Sequence, residues 1–173
     1  MGQTADAESI FGRYSSARDL FEACYQAAIE VQSYGSKVAQ MEARDGVHAQ
    51  RYDRPMVHGS SCNDARAATD DRMDFESAMR SVIDQDRKLM DAARMLIHGD
   101  GSRGVTGGVM VLCGLDASIV LYERYVLAST WETAASRAMV SVKTAHRLAD
   151  EAMDVIDSHG WTRTVKGEGM AEG

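Results

Sequence analysis

The sequence predicts an all-α protein: an N-terminal long antiparallel helical hairpin followed by a small C-terminal helix-turn-helix domain. Three observations carry that prediction. The 173 residues contain a single proline, Pro55, and eleven methionines, and proline breaks helix interiors whereas methionine favours them. Two long stretches place apolar residues at alternating steps of three and four, the spacing of a helix packed along one seam. Further on, two short helical patterns follow one another, each opened by a hydroxyl residue suited to capping.

The first helix is expected from about Ala5 to Arg44. Its seam is Ile10, Tyr14, Ala17, Phe21, Cys24, Ala28, Val31, Tyr34, Val38 and Met41. Gly35 interrupts it at a cost of about 1 kcal/mol relative to alanine, so a kink or fraying is expected after Tyr34. Residues 45–63, DGVHAQRYDRPMVHGSSCN, read as a polar loop rich in turn formers. A second helix is expected from about Asp64 to His98, with Phe75, Met79, Val82, Leu89, Ala93 and Leu96 on its stripe. Asp86 intrudes there. An unpaired carboxylate is costly to bury, so Asp86 marks either the solvent edge of the seam or a contact with a basic residue across it. Residues 1–98 therefore read as a helical hairpin, for dimerisation or partner binding.

Residues 99–114, GDGSRGVTGGVMVLCG, hold six glycines and read as a flexible linker. GSRGVTGG lacks the Lys-Ser/Thr that completes a nucleotide-binding P-loop, and VMVLC fits a single strand or a hinge. Helix resumes at Leu115–Leu127, with Leu115, Ile119, Tyr122 and Val126 on one face. Residues 115–160 make up the helix-turn-helix region, and 161–173, glycine-rich and aperiodic, a flexible tail.

The pair of short helices spans TWETAASRAMVSVKTAHRLADEAMDVID, residues 130–157. Thr130 is positioned to cap the first helix, and Trp131 to seal it against Tyr125. Ala135 is the small residue where two helices meet, Val140 the buried residue of the turn, and Ser141 the cap of the second helix. Ala145, Leu148, Ala152 and Ile156 face inward at steps of three and four. The opposite face opens with Val142, Lys143, Thr144, His146 and Arg147, at the end of a recognition helix that enters the major groove.

Charge sets a limit on this reading. The chain carries net −7, which argues against a broadly basic nucleic-acid binder. Between Ser129 and Ala149, however, Arg137, Lys143 and Arg147 stand against Glu132 alone, a local +2. Salt screens charges beyond about 8–10 Å, so the local patch governs affinity for phosphate. Few phosphate contacts per chain imply weak, salt-sensitive binding, hence a homodimer, a higher homo-oligomer or assistance by RNA polymerase.

Other chemistry finds little support. Cys24, Cys62 and Cys113 are scattered, with no CxxC pair, and read as reduced thiols of a cytoplasmic protein. His58 and Cys62 are two of the four ligands that a zinc site needs, so no metal or other cofactor is expected. No HExxH, GxSxG or Walker sequence occurs, and no enzymatic activity is expected. No apolar run spans a membrane, and residues 1–19 lack the apolar core of a signal peptide.

The pattern L-x2-RYV-x3-TW-x2-A-A-x5-S-x2-T-x2-R-x4-A, residues 121–152, resembles DNA-binding region 4 of sigma factors. More narrowly, it resembles phage and prophage region-4-like regulators of the ArpU/RinA late-transcription type. Tyr122, Arg124, Tyr125, Trp131, Ala135, Val140, Ser141, Thr144, Arg147 and Ala152 carry the resemblance, which covers about Leu115–Gly160 and is only architectural before that. The chain departs from the pattern at Met139, where glycine usually makes the turn, and at Ala134 and Ala138, where larger apolar residues are usual. The resemblance implies a phage-type transcription regulator that reads double-stranded DNA with residues 142–157. Arg147 and Lys143 would meet bases or phosphates, Val142 and Thr144 thymine methyls, and His146 would assist; Thr130, Arg137 and Ser141 complete the expected interface. Two other functions fit the same residues. One is a DNA-packaging protein in the manner of small terminase subunits, which a ring of eight or more subunits would favour. The other is a helical module that captures RNA polymerase or sigma factor.

Overall fold

The computed structural model describes residues 2–48, 62–101 and 107–168. These residues are predominantly helical, and no strand occurs among them. In chain order the helices are α1 (Gly2–Phe11), α2 (Ala17–His48), α3 (Cys62–His98), α4 (Gly108–Leu112), α5 (Leu115–Leu121), a π-helical segment (Tyr122–Val126), α6 (Trp131–Arg137), α7 (Val142–His159) and α8 (Trp161–Lys166). Among the described residues no helix is long and apolar enough to cross a membrane.

The helix expected over 5–44 is broken after Phe11. Here the backbone tightens, with Arg13 N–H donating to Ile10 C=O at 3.0 Å and Tyr14 N–H to Phe11 C=O at 3.1 Å. The chain then restarts at Ala17. Ser16 Oγ accepts from Asp19 N–H at 3.2 Å, and the Ala17 N–H is taken by Asp157 Oδ1 of α7 at 2.7 Å. Two of the first N–H groups of α2, which lack intrahelical acceptors, are thereby satisfied. The break turns α1 back, so that it packs on α3 and α8. Gly35, where a kink or fraying is expected, lies within α2, which continues to His48. Arg51, Arg54, Pro55 and His58 fall outside the described residues.

α2 and α3 pack against each other. Glu30 lies near Asp86 and Cys24 near Arg94, so advancing along α2 meets receding positions of α3 and the pair runs antiparallel. Asp86 is half-buried, and its Oδ2 is enclosed with no hydrogen-bond partner. Burial, with Glu30 adding to it, raises its pKa. Among the described residues no basic side chain answers it across the seam. Cys24 is fully buried on the same seam, and burial pushes its thiol up to about 12.

The glycine-rich stretch, read as a slack linker with a strand or hinge, is instead closely packed where it is described. Gly108–Leu112 forms α4 against α3 and α8, and Val109 is fully buried. The glycines are required by close approach of backbone. A Cβ on Gly107 would lie 2.6 Å from the carbonyl oxygen of Val165, and one on Gly108, whose φ is +70°, would lie 2.7 Å from the carbonyl of Ile97. Gly107 N–H also donates to His98 C=O at 3.0 Å. The tail expected to be mobile from 161 is likewise docked through α8. Thr164 and Val165 are buried, and Trp161 stacks on Phe11 of α1 at 5.4 Å.

One core runs through all of these elements. Phe11, Leu20, Phe21, Leu96, Ile97, Val109, Val120, Leu121, Val126, Met153 and Ile156 are its large members. α7 adds Ala145, Ala149 and Ala152 on its inner face, while Leu148 is half-buried. Small side chains there let α5 and α6 lie close to α7.

Candidate nucleic-acid interface

The π-helical segment leads into the candidate interface. Leu127 N–H reaches back to Tyr122 C=O and Ser129 N–H to Glu123 C=O, at 3.0 and 2.9 Å. With Ala128 at φ 51°, these bonds turn the chain out of the helix in three residues. Glu123, whose side chain is largely covered, accepts from Ser129 Oγ at 3.2 Å.

α6 then opens on Thr130, whose Oγ1 accepts from Thr133 N–H at 3.3 Å. Its first-turn Glu132 is held below the usual carboxylate range, first by its own backbone N–H and then by the Thr130 side chain. Between α6 and α7 the chain turns at Met139, which has φ 54° and is 92% exposed. Val140 N–H closes the turn on Ala135 C=O at 3.0 Å. Ser141 caps α7, its Oγ accepting from Thr144 N–H at 3.1 Å and meeting Thr144 Oγ1 at 2.8 Å. Both capping residues read from the sequence therefore cap. Ala134 and Ala138, small where larger residues are usual, are buried between the elements.

The remaining expected residues fall on two surfaces. Val142, Lys143, His146 and Arg147 are exposed at the beginning of α7, with Thr144 half-buried beneath its cap. Lys143 has no ion-pair partner among the described residues. Arg147 pairs with Glu151 at 3.0 Å, both side chains more than half exposed. Arg137, at the end of α6, approaches Glu123 only to 3.9 Å and is 71% exposed.

His146 is less free than its sequence position suggests. Its ring stacks on Trp131 of α6, with centroids 3.8 Å apart and planes inclined 27°. Trp131 also meets Tyr125 edge-on at 6.1 Å. The Arg124 guanidinium lies over the rings of both Trp131, at 5.2 Å, and Tyr25 of α2, at 4.1 Å. Tyr25, Arg124, Trp131 and His146 thus form a continuous series of ring and guanidinium contacts from α2 through the π-helical segment and α6 to α7. Arg124 gives one N–H to Ser129 C=O at 2.9 Å, and its Nε is enclosed without an acceptor.

Two of the acids that follow on α7 are also engaged. Asp150 pairs with Arg18 of α2 at 2.8 Å, and Asp157 holds the α2 N-terminus. None of these long-range contacts was legible in the sequence. The nearest signal was the expected packing of Trp131 against Tyr125, which the structure shows edge-on at 6.1 Å; Tyr25 and Arg18 carry none. Among the described residues no three His, Cys, Asp or Glu side chains are grouped to hold a metal ion.

Compared with family models, curated proteins and solved structures, the chain matches none.

Proposed function

We propose that this protein is a DNA-binding transcription regulator of the phage or prophage type, acting in the cytoplasm and reading double-stranded DNA with the N-terminal two turns of α7. The reading rests above all on one observation: Val142, Lys143, His146 and Arg147 form an exposed face on a helix whose opposite side is sealed by Ala145, Ala149 and Ala152. A helix presented in this way, capped by Ser141 and braced by α6, suits insertion into the major groove.

The electrostatics support it. Arg137, Lys143 and Arg147 are set against Glu132 over residues 129–149. The Arg147–Glu151 pair is exposed, and such i,i+4 pairs contribute only about 0.3–0.5 kcal/mol, so Arg147 exchanges Glu151 for a phosphate or a guanine edge at small cost. Asp150 is already neutralised by Arg18. Three cations per chain make for weak binding alone, so the protein works as a homodimer, as a larger homo-oligomer or beside RNA polymerase.

The test is binding of the purified protein to fragments of its neighbouring genomic DNA across a salt series. With about three phosphate contacts, log affinity falls against log salt with a slope near −3 per chain. Arg147→Ala lowers affinity about tenfold, as for a lost base contact of 1–3 kcal/mol. Undiminished binding by Arg147→Ala at low salt refutes the role assigned to α7. No binding by the parent at low salt refutes DNA binding altogether.

A further inference from the structure

Beside the series of stacked side chains, an open cleft of about 560 Å³ runs between α2, the π-helical segment and α6. Arg18, Glu22, Tyr25 and Gln26 line it from one face of α2, Arg124 and Tyr125 from the π-helical segment, and Trp131 from α6. Arg124 is held in a manner suited to a ligand. The rings of Tyr25 and Trp131 lie against its guanidinium, and Ser129 C=O fixes one of its N–H groups. Its Nε–H has no acceptor among the described residues. A buried donor left unpaired costs about 1–3 kcal/mol, and a guanidinium lying over aromatic rings can still donate its N–H groups to the oxygens of a carboxylate or phosphate.

We propose that this cleft binds a small oxyanion, a carboxylate or phosphate group, on Arg124. The charges around it define its preference. Arg18 is occupied by Asp150, leaving Arg124 as the attractive charge and Glu22 as an opposing one. Occupancy is felt at α7, because Trp131 is at once a wall of the cleft and the platform under His146. The inference does not depend on DNA binding.

Trp131 supplies the readout. The chain has two tryptophans, and Trp161→Phe, which keeps an aromatic ring against Phe11, leaves Trp131 as the only indole emitter. This variant is titrated separately with inorganic phosphate and with succinate, followed by fluorescence and by calorimetry, with the His146 ring protons monitored by NMR. The expected result is a saturable change with at least one probe, accompanied by movement of the His146 signals; the stronger probe shows which oxyanion the cleft prefers. Arg124→Lys, which retains the charge but loses the planar fork, weakens binding about tenfold. Glu22→Gln tightens it. Should Arg124→Lys fail to fold, the sign of the Glu22→Gln effect still decides. The absence of a saturable response to either probe, undiminished binding by Arg124→Lys, or weaker binding by Glu22→Gln overturns the proposal.

Discussion

Replacing Gly108 with alanine places a methyl group where the backbone of α3 already lies. The new Cβ would be 2.7 Å from both the carbonyl carbon and the carbonyl oxygen of Ile97, with the Leu96 oxygen closer still. These are main-chain atoms in the last turn of a long helix, so they cannot rotate away as a side-chain end would. Overpacking of this kind costs about 1–3 kcal/mol. The backbone itself, at φ +70°, adds about 1–2 kcal/mol for a residue bearing a Cβ. Together the loss is about 2–5 kcal/mol, a large share of the roughly 5–15 kcal/mol that holds a folded domain. Gly35→Ala is the matched control. Gly35 lies inside α2, and a Cβ there meets nothing within 4 Å, so the same substitution stabilises by about 0.5–1 kcal/mol. Urea unfolding followed by far-ultraviolet circular dichroism separates the two. With a slope of about 1–3 kcal/mol per molar, Gly108→Ala lowers the midpoint by about 1–2 M while Gly35→Ala raises it slightly. If Gly108→Ala unfolds at the parent midpoint, the stretch 99–114 is a slack connector and the close-packing argument fails.

Met139 occupies the left-handed turn at φ 54° and is 92% exposed, so Met139→Gly relieves about 1 kcal/mol of backbone cost and raises the melting temperature by about 2–4 °C in calorimetry. Ser141→Ala removes the cap of α7 and costs about 1 kcal/mol, whereas Ser141→Asp keeps an acceptor and largely restores the melting temperature. Asp86 has a raised pKa in the folded protein through burial and Glu30, so the folded state binds its proton more tightly than the unfolded chain. Ionisation of Asp86 then opposes folding as pH rises through that range. Asp86→Asn therefore raises the unfolding midpoint at neutral pH, and the gain vanishes below the ordinary carboxylate pKa; an equal gain at both pH values refutes this account.

The elements whose evidence is local were legible in the sequence. Thr130 and Ser141 cap as expected because an N-cap acts within three residues of itself, and the three–four spacing around Phe21 and Leu96 describes one face of one helix. The class all-α follows from the same short-range signals. Signals with two physical meanings misled. Glycine-rich sequence denotes either slack chain or backbone too close for a Cβ, and at Gly107 and Gly108 only the neighbours Val165 and Ile97, distant in sequence, decide between them. The seam from Ile10 to Tyr14 continues smoothly through residues 12–16, so periodicity could not reveal the break there. That break depends on Asp157, more than a hundred residues away, receiving the Ala17 N–H. The series of contacts through Arg124 was invisible for the same reason, since each of its members comes from a different element.

Net charge is a poor guide to this chain because its acids and bases are spent unequally. Asp157 accepts a hydrogen bond at the start of α2, where the helix dipole also favours a negative group. Asp150 is matched by Arg18, and Glu123 by Ser129 with Arg137 beyond. These carboxylates act in holding α2 and the π-helical segment to the C-terminal helices. Among the described residues Lys143 has no such engagement, and Arg147 has only an exposed neighbour on its own helix. A chain can therefore be acidic as a whole and still present positive charge where α7 begins. The arrangement also separates two effects of mutation. Asp157→Ala should loosen α2 and lower stability by about 1–3 kcal/mol, the cost of leaving a buried donor unpaired. Lys143→Ala should leave stability within about 0.5 kcal/mol, as for other surface substitutions, and change only what α7 can bind. Equal losses of stability in the two variants, measured by urea unfolding, would show that this division of charge is not the one the fold uses.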